Sequence, residues 1–290
     1  MPACTTPQTK AKPTPLISHL ELLRPAALTG HKRSVQLDTS KICFLGSKLQ
    51  VVLLPRRELP FARSLRLPAL ATRVIDRCRI LLVSSPKGGS GKSVLSRHLL
   101  VSASQAGVGA IGLDCDRQQT LAKWAARRAQ TRETFPDFAD VLVESTSLQN
   151  WRGALNRTQQ YQLAVIDTPP SVEDHLPSIE ALSEAADLIL IPAICTQDDV
   201  DSVAPWVKAL NLRGCRSSVV LNRANRRTTS YARMRGVFVR AGSVCPTELP
   251  QLEDVHMPAT RGLTLLDYSK SRGIAPFEEI WAYVRREIGL

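Results

Sequence analysis

The sequence predicts an α/β fold, a mostly parallel, doubly wound sheet with helices on both faces. Three observations carry that expectation. From residue 79 onward, short apolar runs alternate with stretches long enough for a helical crossover. The runs are almost continuously apolar, as strands covered on both faces are. Polar segments rich in glycine and aspartate follow their carboxyl ends, which is where such sheets bind ligands.

The strand candidates, in order, are ILLVSS (80–85), GVGAIGLD (107–114), YQLAVID (161–167), DLILIP (187–192) and RSSVVLN (216–222). Helical stretches fall near 92–106, 118–131, 147–160, 176–186 and 198–212, two between the second and third strands and one in each of the other gaps. Strands that alternate with helices in this way form a parallel sheet. Residues 1–78 read differently. Proline, basic residues and short apolar runs such as KICFLG and LQVVLLP show no sustained period there, which predicts a basic extension with disorder or loose structure. The division is therefore an extension over 1–78 and one folded domain over 79–290.

Composition narrows the function classes. The chain has 290 residues, is 43% hydrophobic and 22% charged, and can bury a full core. No run reaches the roughly 18 apolar residues that a membrane span needs. Its seven cysteines are scattered and never form a C-x-x-C pair. That pattern argues for a reducing compartment and against a zinc or iron–sulfur site. The net charge of +12 is concentrated before residue 81. A second asymmetry lies between Ser202 and Thr247, which hold nine basic residues and no acidic one. Such a stretch is the footprint of a polyanion site, or else a solvated face balanced by acidic neighbours in space.

The segment after the first strand, PKGGSGKS, is the most informative. Gly88, Gly89 and Gly91 let backbone N–H groups converge on phosphate oxygens, and the positive end of the following helix points the same way. Lys92 is placed for the β- and γ-phosphates and Ser93 for Mg²⁺. Gly88, Gly89, Ser90, Gly91, Lys92, Ser93 and Val94 are the candidate nucleotide contacts of this loop, which makes the sheet one of the P-loop NTPase type. The alternative is a plain tight turn.

Asp167 ends the apolar strand AVID, where a lone carboxylate is costly to bury and fits a Mg²⁺ ligand acting through water. Asp114 and Asp116 flank Cys115 after the neighbouring strand. Two carboxylates so close need a cation or water between them; as a bland alternative, Asp116 caps the next helix.

These residues resemble the ParA/MinD group of P-loop ATPases, whose loop is the deviant Walker A form KGGxGK[ST]. KGGSGKS matches it in full, LDCDRQQTLAKW is similar to the family's D-x-D-P-Q segment, and AVIDTPP is similar to its Walker B. ADLILIPA and VVLNR follow in the expected order. Arg117 stands where proline is usual. The resemblance covers about residues 79–290.

It implies ATP and Mg²⁺ as cofactors and a homodimer that sandwiches two nucleotides. Lys87 would reach across the dimer to the partner's phosphates, or else be a solvated loop charge. Asp116 would position the attacking water, while Asp114 and Asp167 would complete the Mg²⁺ shell with Ser93. Asn222 and Arg223 would contact the adenine; without a ligand, Asn222 is an ordinary strand-ending turn residue.

Partition-type relatives bind DNA without sequence preference through arginines of the C-terminal half. Arg223, Arg226, Arg227, Arg233, Arg235 and Arg240 are the candidates here. That implies a cytoplasmic, nucleoid-associated protein that segregates a plasmid or chromosome with a ParB-like partner stimulating hydrolysis, and no stable membrane insertion. MinD-type relatives instead position membrane or protein cargo, and a third reading is a weakly hydrolysing adaptor in DNA transfer. The terminal segment FEEIWAYVRREIGL puts Phe277, Ile280, Trp281, Val284 and Ile288 on one face, which is either core or a membrane-surface stripe. No helix-turn-helix pattern stands out in residues 1–78, whose acid-poor composition also suits a transit peptide.

Overall fold

A computed structural model describes residues 77–290, apart from Ser171, Lys270 and Arg272. The expectations for residues 1–76 lie outside the described residues. Six parallel strands form one sheet: β1 (Arg79–Val83), β2 (Ala110–Asp114), β3 (Leu142–Ser145), β4 (Leu163–Asp167), β5 (Leu188–Ile194) and β6 (Ser217–Asn222). Their order is β3-β2-β4-β1-β5-β6. The helices are α1 (Lys92–Gln105), α2 (Thr120–Thr134), α3 (Trp151–Arg157), α4 (Leu176–Ala185), α5 (Gln197–Leu212), α6 (Thr229–Ala241) and α7 (Ile274–Ile288).

The alternation of side chains along each strand feeds two cores. Leu81, Val83, Val165 and Leu190 face α1, α2 and α7, while Leu82, Ile166, Ile189 and Ile191 face α3 to α6. The doubly wound expectation holds, with the five predicted strands in place. The sixth, β3, was not expected. Its sequence LVES is short and half polar, and it is an edge strand that pairs only with β2, so it lacks the apolar run by which the others are legible. Helix α6 was also missed, because four of its thirteen residues, Arg233, Arg235, Arg240 and Gly236, dilute the apolar stripe.

The terminal helix is core. Phe277, Ile280, Trp281, Val284 and Ile288 are all buried in the cluster that α7 shares with α1 and α2. Two polar devices anchor this layer. The Arg128 guanidinium donates to both Asp267 carboxylate oxygens at 2.9 and 2.8 Å, with both side chains 1% exposed. The remaining valences are met by the carbonyls of Gly262 and Ala139 on one side and the amide of Thr264 on the other. Gly262 is left-handed (φ +69°), and a Cβ there would lie 2.1 Å from the Arg128 backbone nitrogen, so this turn requires glycine.

The second device is His98, stacked on Phe277 with ring centroids 3.7 Å apart. Its Nδ1 lies 2.7 Å from the Val94 carbonyl, which can only accept, so Nδ1 carries the proton and Nε2 faces the Leu265 amide at 3.5 Å. Burial, reinforced by the neighbouring Arg97 charge, pushes the imidazole pKa down to about 3. The unfolded chain therefore takes up a proton below about pH 6.5 that the native chain refuses, and stability falls as pH falls from 6.5 toward 3. Denaturant melts of wild type and His98→Gln across pH 4 to 8 should show a shallower acid loss in the variant, by about 3 kcal/mol at pH 4. Equal slopes would contradict this account.

Candidate functional site

The carboxyl ends of β1, β2, β4 and β6 meet around a cleft of about 750 Å³. The phosphate-type loop, Asp116, Asn222 and Arg223 line it, together with Leu249 to Glu253, Val255, His256 and Phe277. The structure brings the first group, read from the sequence, to one cleft, and adds the second, for which the sequence offers no reading. The segment from Leu249 to His256 shows no regular period; its one signal is position, since it follows the helix after the last strand.

Within the loop, Gly91 has φ +102° and a Cβ there would strike Asn222 Nδ2 at 2.2 Å. That contact is the loop's clasp: Asn222 Nδ2 donates to the Ser90 carbonyl at 2.7 Å, and its Oδ1 accepts the Arg223 amide at 2.9 Å. Lys92 is 7% exposed and rests its ammonium on the carbonyls of Ser85 (3.4 Å) and Lys87 (3.2 Å). Burial lowers its pKa, opposed by Asp167 and Asp116. A phosphate oxygen would offer this cation a full negative charge in place of neutral carbonyls.

Asp167 is fully buried. One oxygen takes the Ser96 hydroxyl at 3.3 Å, and Oδ2 has no partner among the described residues. Burial pushes its pKa up to about 7, opposed by the nearby Ser93 and Ser96 hydroxyls and the Lys92 charge. A buried, half-satisfied carboxylate beside a serine hydroxyl is a donor set suited to Mg²⁺. Asp114 stands next to Asp167 in strand register. Its oxygens accept the amides of Asp116 (3.1 Å) and Ala122 (2.9 Å), so the capping role that the sequence offered Asp116 belongs to Asp114. Asp116, half-buried, binds only the Gln118 amide at 2.9 Å and lines the cleft.

Lys87 leaves the loop for solvent. Its ammonium is 3.9 Å from Asp198, and both side chains are exposed, an arrangement worth little in water.

The basic stretch is less one-sided in space than in sequence. Arg213 pairs with Glu180 and Glu184, Arg216 with Glu287, and Arg226 with Glu248. For these three the balanced-face alternative holds. Lys208, Arg223, Arg227, Arg233, Arg235 and Arg240 are exposed and make no ion pair among the described residues.

Comparison with known proteins decides the family, because the profile of the CobQ/CobB/MinD/ParA nucleotide binding domain matches residues 81–265. The chain belongs to that family. No curated protein matches it by sequence. Among solved structures it is similar to the septum site-determining protein MinD of Pyrococcus horikoshii complexed with Mg-ADP (TM-score 0.59, 14% identity, 73% of this chain and 98% of that one). A Cyanothece McdA variant in complex with ATP is similar at TM-score 0.55 and 18% identity, over 73% and 97% of the two chains. So is a Borrelia burgdorferi chain described as a putative plasmid partition protein and bound to AMPPNP, at TM-score 0.55 and 15% identity, over 73% and 100%. The expected resemblance is thus the observed one, and at these identities the structures speak for the fold alone.

Lys92→Ala should remove the buried cation from this MinD/ParA-type loop and weaken ATP binding about ten- to hundred-fold, the worth of a charge-assisted hydrogen bond. A fluorescent-nucleotide titration measures it. An unchanged Kd would place the phosphates elsewhere.

Proposed function

We propose that this chain is a slow, Mg²⁺-dependent ATPase that dimerises around two ATP molecules, binds DNA without sequence preference, and segregates a plasmid or chromosome. The observation that carries the DNA half is the set of exposed cations on and just before α6, Arg227, Arg233, Arg235 and Arg240, none of which makes an ion pair among the described residues; Arg233 and Arg240, seven residues apart, share one face of the helix. The ATPase half is supported by the family, the glycine loop with its buried lysine, and the half-satisfied Asp167.

In this reading Gly88, Gly89, Ser90 and Gly91 cradle the phosphates with backbone amides, and Lys92 binds the β- and γ-phosphates. Ser93 and Asp167 hold Mg²⁺, Asp114 adds charge beside them while fixing the turn, and the cation would offset charge on the phosphates. Val94 packs at the same loop, and Asn222 and Arg223 flank the base. Asp116 orients the attacking water, because its side chain keeps an oxygen open toward the cleft. Lys87, exposed and weakly held, is available to a second subunit's phosphates. A ParB-like protein would stimulate turnover in a nucleoid-associated, cytoplasmic setting. The positioning reading loses ground on one point, since the apolar face of α7 that a membrane would need is occupied by the core, and no described helix is long and apolar enough to cross a membrane.

Two variants separate the nucleotide roles. Lys87→Ala should bind ATP but remain monomeric in light scattering, whereas Asp116→Ala should form ATP-dependent dimers that do not turn over. ATP-dependent dimers from Lys87→Ala would sink the cross-subunit role, and undiminished turnover by Asp116→Ala would remove it from the chemistry.

The DNA surface is tested by salt. Counterion release makes log affinity fall with log salt at about −0.9 per phosphate contact. Changing Arg227 and Arg233 to alanine in the full chain should flatten that slope by up to two contacts, equally for unrelated duplexes. Because both proteins keep residues 1–78, the difference reports the patch. An unaltered slope would count against this surface.

A further inference from the structure

Arg226 departs from the rest of the basic surface. It is 73% exposed, yet its guanidinium is engaged by Glu248, whose side chain is only 11% exposed. The same carboxylate accepts the hydroxyl of Tyr231, a buried residue in the first turn of α6. Glu248 is therefore the fixed member of the pair and Arg226 the member that can leave.

The position of Glu248 in the chain adds a second link. It directly precedes Leu249, whose amide donates to the Leu221 carbonyl and whose carbonyl accepts the Ala224 amide, while Pro250 bridges Ala224. Leu249 and Pro250 line the nucleotide cleft together with Asn222 and Arg223. The Arg226–Glu248 pair thus ties two segments that form the cleft wall to the root of the basic helix.

We propose that Glu248 is a built-in competitor of DNA: it occupies Arg226 and sets a fixed negative charge at the root of the basic surface, and a DNA phosphate must displace it to gain that contact. This rests on the reading that the exposed arginines of α6 and the loop before it bind DNA. The Arg226 end of the pair lies in water, which screens it, so a phosphate can exchange with it. The exchange leaves Glu248 with Tyr231 alone, a poorly solvated carboxylate without a cation, which discounts the gain. Removing the charge at residue 248 removes both the competition and the discount.

The test uses the full chain, duplexes of unrelated sequence and a salt titration. Glu248→Gln keeps the shape of the side chain and one acceptor oxygen, and its new amide N–H can donate to the Tyr231 hydroxyl oxygen, so the fold has little reason to change. It should raise DNA affinity several-fold at fixed salt and steepen the salt slope by about 0.9, one phosphate contact. Arg226→Ala should change wild-type affinity less than two-fold, whereas Arg233→Ala weakens it. In the double variant, Arg226→Ala should abolish the gain from Glu248→Gln, the non-additivity that a direct competition requires.

The failures are distinguishable. Should Glu248→Gln match wild type in affinity and slope while Arg233→Ala weakens binding, the competitor is overturned and the DNA surface stands. The competitor is equally overturned if the gain survives in the double variant, since a general field effect would then explain it. If neither Glu248→Gln nor Arg233→Ala alters binding, the DNA reading itself fails, and this proposal with it.

Discussion

The site depends on one clasp, the hydrogen bond from Asn222 to the Ser90 carbonyl. A loop with three glycines has many conformations, and it can present its amides to phosphate only when something outside it fixes one of them. Asn222 does so from the far strand of the sheet at 2.7 Å, packed so closely that Gly91 has no room for a side chain. The loop follows β1 and the asparagine ends β6, so the clasp exists only after β1, β5 and β6 have aligned. The loop's shape is thereby made a consequence of this half of the sheet, and the glycine loop is joined to the segment after β6 through a single side chain.

Contrasts among the buried charges separate structure from function. Arg128 and Asp267 are closed on each other and on backbone groups, which suits a pair whose only task is to hold α2 against the segment before α7. Asp167 and Lys92 are equally hidden but incompletely matched: one has an orphan oxygen, the other two long contacts to neutral carbonyls. Arg97 is intermediate. It donates to the Val255 carbonyl, leaves Nε unpartnered, and has its pKa pulled down to about 10 by burial behind the cleft wall. A folded chain carries such unmatched groups at a cost, and here two of the three lie where an anionic ligand and its cation would complete them.

How much of this was legible followed from how local each signal was. The strands with apolar runs, the glycine loop and the strand-end aspartates could be read, because their meaning is contained in a few consecutive residues. Strand β3 could not, since an edge strand needs neither a long nor a continuously apolar run. The clasp was out of reach as well: Asn222 was readable as a base contact or a turn residue, but nothing local says that it reaches a loop 132 residues earlier in the chain. The basic stretch failed in a more instructive way. Its lack of acids is true of the sequence, yet Glu180, Glu184, Glu248 and Glu287 lie outside its bounds and return to neutralise Arg213, Arg216 and Arg226. Counting charge along a chain locates a surface; only the fold says which of its charges are free.

That spatial balance sharpens the relation between cleft and surface. The segment after β6 runs from Asn222, which holds the phosphate loop, through Arg223 in the left-handed region (φ 50°) to Arg226 and Arg227, and then into α6. The positive φ at a residue with a large side chain carries a strain of order 1 kcal/mol or more, held in place by its own amide bonding to Asn222. A change in what Asn222 binds is therefore felt first at Arg223 and next at the arginines that open the basic surface. The opposite wall, from Glu248 to Pro250, is laid against the same segment by backbone hydrogen bonds. Nucleotide and polyanion would thus act on a common stretch of backbone rather than on distant sites, and by linkage any preference of one ligand for an arrangement of that stretch must be returned by the other in equal measure.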